Sequence, residues 1–285
     1  MGKSERSEGL QPAGDFIAEW LSKGKEVPST CSEHGPFIAR TFMFRGEEKL
    51  TRCTACLERE GRERVQEKLK HQQTYGRQER VEALFQLPRI PQDFVNENFD
   101  NHVFVSDPDM REAQKAVFSV ARMFAENFDK VLKERGSLLF LGGFGTGKSR
   151  LAACVSNHLV GRGYTSMFLT AQYIVNRLGS ARSFRSGEGP EDVIRELVGI
   201  DLLIIDELEE IYGEREREDM LGVFVSRYAN RVPIIGISNL SLDELKGKIG
   251  AKITDRLSHN GAQLPFTWGS YRRREPGTPA TWMTE

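Results

Sequence analysis

The chain has 285 residues, 39% hydrophobic and 28% charged, with a formal net charge of −1. That length holds one core of ordinary size plus a small appendage, and the near-neutral balance excludes bulk basicity as a way of holding nucleic acid, so any such contact must come from a local patch. No apolar run approaches the roughly 20 residues that span a bilayer, and residues 1–14 carry no apolar leader segment. The expected setting is therefore the cytoplasm, with reduced cysteines and no membrane partner.

Residues 1–30 read as a polar tail, rich in Gly, Ser, Glu and Lys over 1–14, with one or two helical turns at 15–21 that offer Phe16, Ile17 and Trp20 as a docking face. A zinc-ribbon-like module is expected at 31–57. Cys31, His34, Cys53 and Cys56 form C-x₂-H, an 18-residue gap and C-x₂-C, and each short pair can place two side chains around one tetrahedral ion. The gap, GPFIARTFMFRGEEKLTR, can form a hairpin that joins the pairs. Four protein ligands leave no open position, which makes such a zinc structural and not catalytic. The alternative is a set of reduced cysteines beside a surface histidine.

A helical linker follows at 58–87, as one long polar helix or two broken near Gly76. Its alternating charges suit a solvated face, and its sparse apolar stripe suits a partner equally. Pro88 and Pro91 mark the boundary to a second domain at 88–274, and 275–285 form a tail.

In that domain, 109–134 reads as one amphipathic helix leading into a buried strand at 138–141. The strand delivers the chain to GGFGTGKS, a match to the phosphate-binding pattern G-x-x-x-x-G-K-[ST]. Gly142, Gly143, Gly145 and Gly147 lack a Cβ, so the backbone can curl and aim N–H groups at an anion. Lys148 supplies a point charge for the β and γ phosphates of ATP, and the Ser149 hydroxyl is placed to ligate Mg²⁺. Phe144, Thr146 and Arg150 complete the expected nucleotide-binding segment. Cys154, on the apolar face of the next helix, reads as a packed thiol.

Further strands are expected in YTSMFLTA, IDLLIIDEL and VPIIGISNL, separated by helices, which argues for an α/β fold with a parallel sheet flanked by helices. Ligands in such sheets sit beyond the C-terminal strand ends, where each polar motif falls. Asp206 and Glu207 close one strand as a Walker B pair, Asp206 for Mg²⁺ and Glu207 to orient or deprotonate the attacking water. Asn239 closes another and can reach toward a γ-phosphate.

Taken together, IPQDFVNENFDN, GGFGTGKS, DLLIIDE, ISNL, ITDRL and FTWGSYR, in that order over roughly 90–274, resemble the AAA+ P-loop ATPases of the DnaC-type helicase-loader family, which also includes the IstB-type transposition ATPases. The resemblance implies that Asn239 is a polar sensor, Arg256 an arginine finger acting on a neighbouring subunit, and Arg272 a second sensor. It implies that 90–99 lines the adenine side, that the chain self-associates in a spiral or ring, and that an isolated subunit hydrolyses ATP weakly. It also implies a hexameric replicative helicase and single-stranded DNA as partners, in a bacterial or phage-infected cell. Between two strands, Arg177, Arg182 and Arg185 surround Phe184, a pattern that can track a phosphate backbone and stack a base or simply form a polar loop. An IstB-like role in transposition and a zinc-dependent DNA-binding adaptor are the alternatives to helicase loading.

Overall fold

The computed structural model describes residues 24–44, 46–182, 187–258 and 261–271, with side chains for all of these except 67–75. The chain divides into two compact units, Met1–Lys70 and His71–Glu285.

The first unit carries β1 (Glu26–Cys31), β2 (Gly35–Phe44) and β3 (Glu47–Leu50) in one antiparallel sheet of order β1-β2-β3. The expected hairpin in the gap is the β2–β3 pair. A second hairpin, β1–β2, was not expected; its register runs from Cys31 opposite Gly35 to Glu26 opposite Arg40. Helix α1 (Thr54–Phe85) follows without a break at Gly76, because one glycine among good helix formers costs only about 1 kcal/mol. Among the described residues up to 70, only Ala39 and Cys53 are buried hydrophobics, while Ile38, Met43, Phe44 and Leu50 are exposed. This unit has almost no apolar core.

The second unit is built on a five-stranded parallel sheet of order β5-β6-β7-β4-β8. Its strands are β4 (Leu138–Gly142), β5 (Ser166–Thr170), β6 (Leu202–Asp206), β7 (Ile234–Ser238) and β8 (Ala262–Phe266). Period-two alternation sends neighbouring residues to opposite faces. Leu139, Leu141, Leu203 and Ile205 face a layer formed by α5 (Ala171–Ala181), α6 (Pro190–Val198), α7 (Glu214–Ala229), α8 (Leu242–Ile249) and α9 (Ala251–Ser258). Leu138, Phe140, Leu202, Ile204, Ile235 and Ile237 face α2 (Pro108–Glu126), α3 (Phe128–Glu134) and α4 (Lys148–Gly161). Phe85, at the end of α1, packs into the first of these layers, so the last turns of that helix are part of the core of this unit.

Two expectations need correcting. The helix foreseen over 109–134 is two, separated at Asn127, whose side-chain amide donates to Met123 O at 2.9 Å and ends α2. The sheet has a fifth strand, β8, which pairs with β4 alone. Its sequence AQLPF reads poorly as a strand because proline cannot donate to a ladder, but an edge position tolerates it. Among the described residues, no helix is long and apolar enough to cross a membrane.

Candidate nucleotide site and metal centre

The nucleotide site lies at the C-terminal ends of β4, β6 and β7. The loop after β4 turns through positive φ at Gly142 (140°), Gly145 (74°) and Gly147 (91°), where a side chain would be strained; Gly143 has no such requirement. A Cβ on Gly142 would also stand 2.3 Å from Phe266 O, so this glycine lets β8 lie beside β4.

Lys148 begins α4 and is only 5% exposed. Its ammonium donates to Gly142 O at 2.6 Å, Gly143 O at 2.7 Å and Asn239 Oδ1 at 2.9 Å. Ser149 Oγ donates to Asp206 Oδ2 at 2.7 Å. Hydroxyl and carboxylate thus converge as the hard oxygen donors that Mg²⁺ favours, and this pair would hold it. Burial raises the Asp206 carboxyl above its ordinary value, against the bonds from Ser149 and the Glu207 amide. Glu207 adopts the left-handed conformation (φ 58°, ψ 44°) and is exposed. Burial first, then Asp206 and the other nearby acids, push its carboxyl upward too, the direction that suits a proton acceptor.

A cavity of about 490 Å³ opens on this loop. Its walls include Phe144, Thr146, Lys148, Ser149, Arg150, Asp206, Glu207 and Asn239, so the expected nucleotide residues meet around one space. Phe144 is 74% exposed. The opposite wall carries Pro91, Asp93, Phe94, His102 and Val103. Part of the 90–99 segment therefore borders the cavity, although Ile90 and Phe99 themselves are core residues. Two side chains of α4 hold that segment. Arg150 Nε donates to Glu97 Oε2 at 2.6 Å, and Asn157 Nδ2 donates to Phe94 O at 3.1 Å and Glu97 O at 2.6 Å.

Sequence reasoning missed the strap after β8. Buried Trp268 donates through Nε1 to Thr146 O at 2.8 Å, and the Tyr271 amide donates to Gly145 O at 2.9 Å. The Tyr271 hydroxyl accepts from Gln114 Nε2 at 2.6 Å. His102, in contact with the same Gln114, is pushed down to about 4 by burial and then by Arg150. The aromatic residues of FTWGSY, Trp268 and Tyr271 among them, were the available signal.

Arg256 does not line this cavity. It stands on α9 in a crevice with Arg135, Ser137, Tyr228, Arg231 and Val232, next to the residues that lead into β4 and β7 at their N-terminal ends. Its Nη1 donates to Lys252 O at 3.1 Å, and its guanidinium lies 6.0 Å from the Tyr228 ring centroid. Among the described residues it has no carboxylate partner.

Arg177 and Arg182 differ from the free cations expected of phosphate contacts. Arg177 pairs with Glu188 at 3.2 Å and Glu196 at 3.1 Å, and Arg182 with buried Asp219. Phe184, Arg185 and Arg272 lie outside the described residues. Cys154 is fully buried, and desolvation raises its thiol to about 12, as a packed core thiol should be.

In the first unit, Cys31 ends β1, His34 stands in the β1–β2 turn, and Cys53 and Cys56 flank the start of α1. Their ligand atoms all lie within 4.8 Å of one another. Cys31 Sγ is 3.5 Å from Cys56 Sγ and 3.7 Å from His34 Nδ1, and Cys56 Sγ is 3.3 Å from His34 Nδ1. Zn–S and Zn–N bonds of roughly 2.3 and 2.0 Å require edges of about 3.5–3.8 Å, close to the three spacings among Cys31, His34 and Cys56, with Cys53 within 4.8 Å of them. The Glu33 amide, followed by His34, lowers Cys31 to about 6. Cys56, bonded to that sulfur, is raised to about 11.

Fold and site together define an ATP-binding domain of the AAA+ P-loop class. The chain belongs to the family of IstB-like ATP binding proteins, whose model matches residues 42–278. It is 31% identical over 169 residues to the replicative helicase loader DnaC of Escherichia coli strain K12, covering 58% of this chain and 67% of that protein. It is 28% identical over 186 residues to the DnaC of Buchnera aphidicola from Acyrthosiphon pisum, covering 65% and 72%. A crystal structure of the DnaC helicase loader superposes with a TM-score of 0.53 at 19% identity, over 61% of this chain and 99% of that one. A crystal structure of DnaI superposes at 0.51 and 18% identity, over 64% and 94%.

Proposed function

We propose that the chain is a Mg²⁺-dependent ATPase that loads a hexameric replicative helicase onto single-stranded DNA. The observation that carries this reading is the match to proteins named replicative helicase loader DnaC, which spans at least 67% of their length, joined to a nucleotide cavity where phosphate-loop residues, Asp206, Glu207 and Asn239 converge. Lys148 neutralises the triphosphate, Ser149 and Asp206 hold Mg²⁺, and the metal ion supplies charge neutralisation on the phosphates. Glu207 accepts the proton of the attacking water.

The position of Arg256 outside its own cavity, without a carboxylate partner among the described residues, supports its role as a finger reaching a neighbouring subunit, with Arg272 as the second sensor. An isolated subunit then hydrolyses ATP weakly, and a spiral or ring of subunits does so faster. The Cys31, His34, Cys53 and Cys56 cluster holds a structural zinc. Single-stranded DNA is met by Arg177, Arg182, Phe184 and Arg185, the first two exchanging their carboxylate partners for phosphates. The setting is the cytoplasm of a bacterial or phage-infected cell.

The test is transfer of the host's hexameric helicase onto a single-stranded DNA circle, scored by unwinding of an annealed strand. ATP and the unaltered protein should stimulate transfer, and Lys148→Ala should not. Equal unwinding with and without the protein overturns the reading. Stimulation of a transposase instead of a helicase would favour the IstB-like role that the family description also carries.

A further inference from the structure

Three residues beyond Asp206 lies a carboxylate that the reaction as described does not use. Glu209 is only 7% exposed. The left-handed turn at Glu207 leads into a short 3-10 helix, Leu208–Glu210, and this carries the Glu209 side chain to the end of β7. There Oε2 accepts from Ser238 Oγ at 2.7 Å, both oxygens accept from the Asn239 amide nitrogen at 3.2 Å, and Oε1 accepts from Asn239 Nδ2. Ser238 Oγ in turn accepts from the Leu240 amide at 3.1 Å. A buried carboxylate with every donor supplied from one short segment is costly to disturb, because each donor left behind would stay desolvated.

The chemistry of an amide makes this contact directional. An asparagine side chain has a donor end and an acceptor end, and an ionised carboxylate can only accept. With Nδ2 committed to Glu209, Oδ1 must face the other way. It does, accepting from Lys148 Nζ at 2.9 Å on the wall of the nucleotide cavity. Were the amide rotated by half a turn, Nδ2 would face the ammonium as donor against donor.

We infer that Glu209 is a positioning residue that fixes the polarity of Asn239, so that Asn239 presents an acceptor to the cavity. Its partners there are the Lys148 ammonium and a hydrogen of the attacking water, not a γ-phosphate oxygen, which needs a donor. The inference rests on the reading that this site hydrolyses ATP with Asn239 beside the reacting phosphate.

The experiment measures assembly-dependent ATP turnover, KM and ATP affinity for Glu209→Gln, for Asn239→Asp and for the two combined. In Asn239→Asp two carboxylates meet, which should lower kcat by roughly tenfold or more with KM changed by less than about threefold, whereas Glu209→Gln can keep its oxygen on Asn239 Nδ2 and turn its nitrogen to Ser238 Oγ, and should cost less. In the double variant the glutamine donates to the new carboxylate, which keeps an oxygen facing Lys148. Turnover should then return to within about threefold of the starting protein, which a purely structural contact would not produce. Unchanged kcat in Asn239→Asp, or a double variant no faster than Asn239→Asp alone, overturns the inference. Asn239→Ala separates the two levels, since unchanged kcat there would remove Asn239 from the reaction and refute the underlying reading. If Asn239→Asp melts below the assay temperature, Glu209→Leu, which removes the acceptor of Asn239 Nδ2, reads the same contact from its other side.

Discussion

The metal cluster and the nucleotide site each depend on a handful of side chains, but what holds those side chains in place is opposite. Around Cys31, His34, Cys53 and Cys56 the described residues bury only Ala39 and Cys53 among hydrophobics, so a bound ion would have to do the organising. Around Lys148 and Asp206 the sheet is packed on both faces by large apolar clusters, and the site is a by-product of a core that stands without it. A small unit can therefore lose its fold with its ligand, whereas the larger one can lose its ligand and keep its fold.

Removing the metal should break this contrast most sharply. Structural zinc contributes roughly 10 kcal/mol or more to such modules, far beyond what two buried residues supply. Elemental analysis should find one zinc per chain. After chelation, limited proteolysis should cut within 24–56, while ATP affinity and the protease-resistant fragment beginning near residue 71 should persist. Loss of ATP binding together with the metal would mean that the second unit is not independently held.

The reverse experiment destabilises the core from within. Arg227 is fully buried on α7 and donates to Leu197 O, to Ile200 O at 3.0 Å and to Pro233 O at 2.6 Å, with burial holding its guanidinium down at about 9. Arg227→Met keeps much of the volume but strands three buried carbonyls, and should cost about 3 kcal/mol. The nucleotide-binding unit should melt earlier by calorimetry, and metal content should not change.

A smaller effect separates site from core. Trp268→Phe keeps most of the ring packing against Phe266 but loses the bond to Thr146 O. About 1 kcal/mol is at stake, enough to weaken ATP binding several-fold by titration while leaving the metal module untouched.

The same contrast explains what could be read in the chain. The phosphate loop, Walker B pair and Cys/His spacings are local patterns in which residue type and separation already carry the chemistry, and in the fold the side chains of each set lie close together. Membership of the sheet was less visible. AQLPF becomes a strand only because β4 offers it an edge, and the strap through Trp268 and Tyr271 exists only once β8 is in place. Arg177 and Arg182 looked like free cations because Glu188, Glu196 and Asp219 approach them from other elements, and sequence spacing does not reveal such pairings. Glu209 was hidden for the same reason, among neighbouring acids that differ from it only in burial.

A further effect concerns pH, and it falls on the second unit alone. His102 has a folded value of about 4 against an ordinary 6.5, chiefly through burial, with Arg150 adding to the shift and Glu97 opposing it. Between those two values the unfolded chain binds a proton that the folded chain refuses, so stability increases with pH across that window and is lost as pH falls through it. His102→Gln removes the titration and keeps a polar group facing Gln114. Its unfolding free energy should therefore vary less than that of the unaltered protein between pH 6.5 and 4. Chemical denaturation at three pH values within the window measures the difference. Identical slopes for the two proteins would mean that His102 is protonated in the fold and that its edge of the nucleotide cavity is open to water.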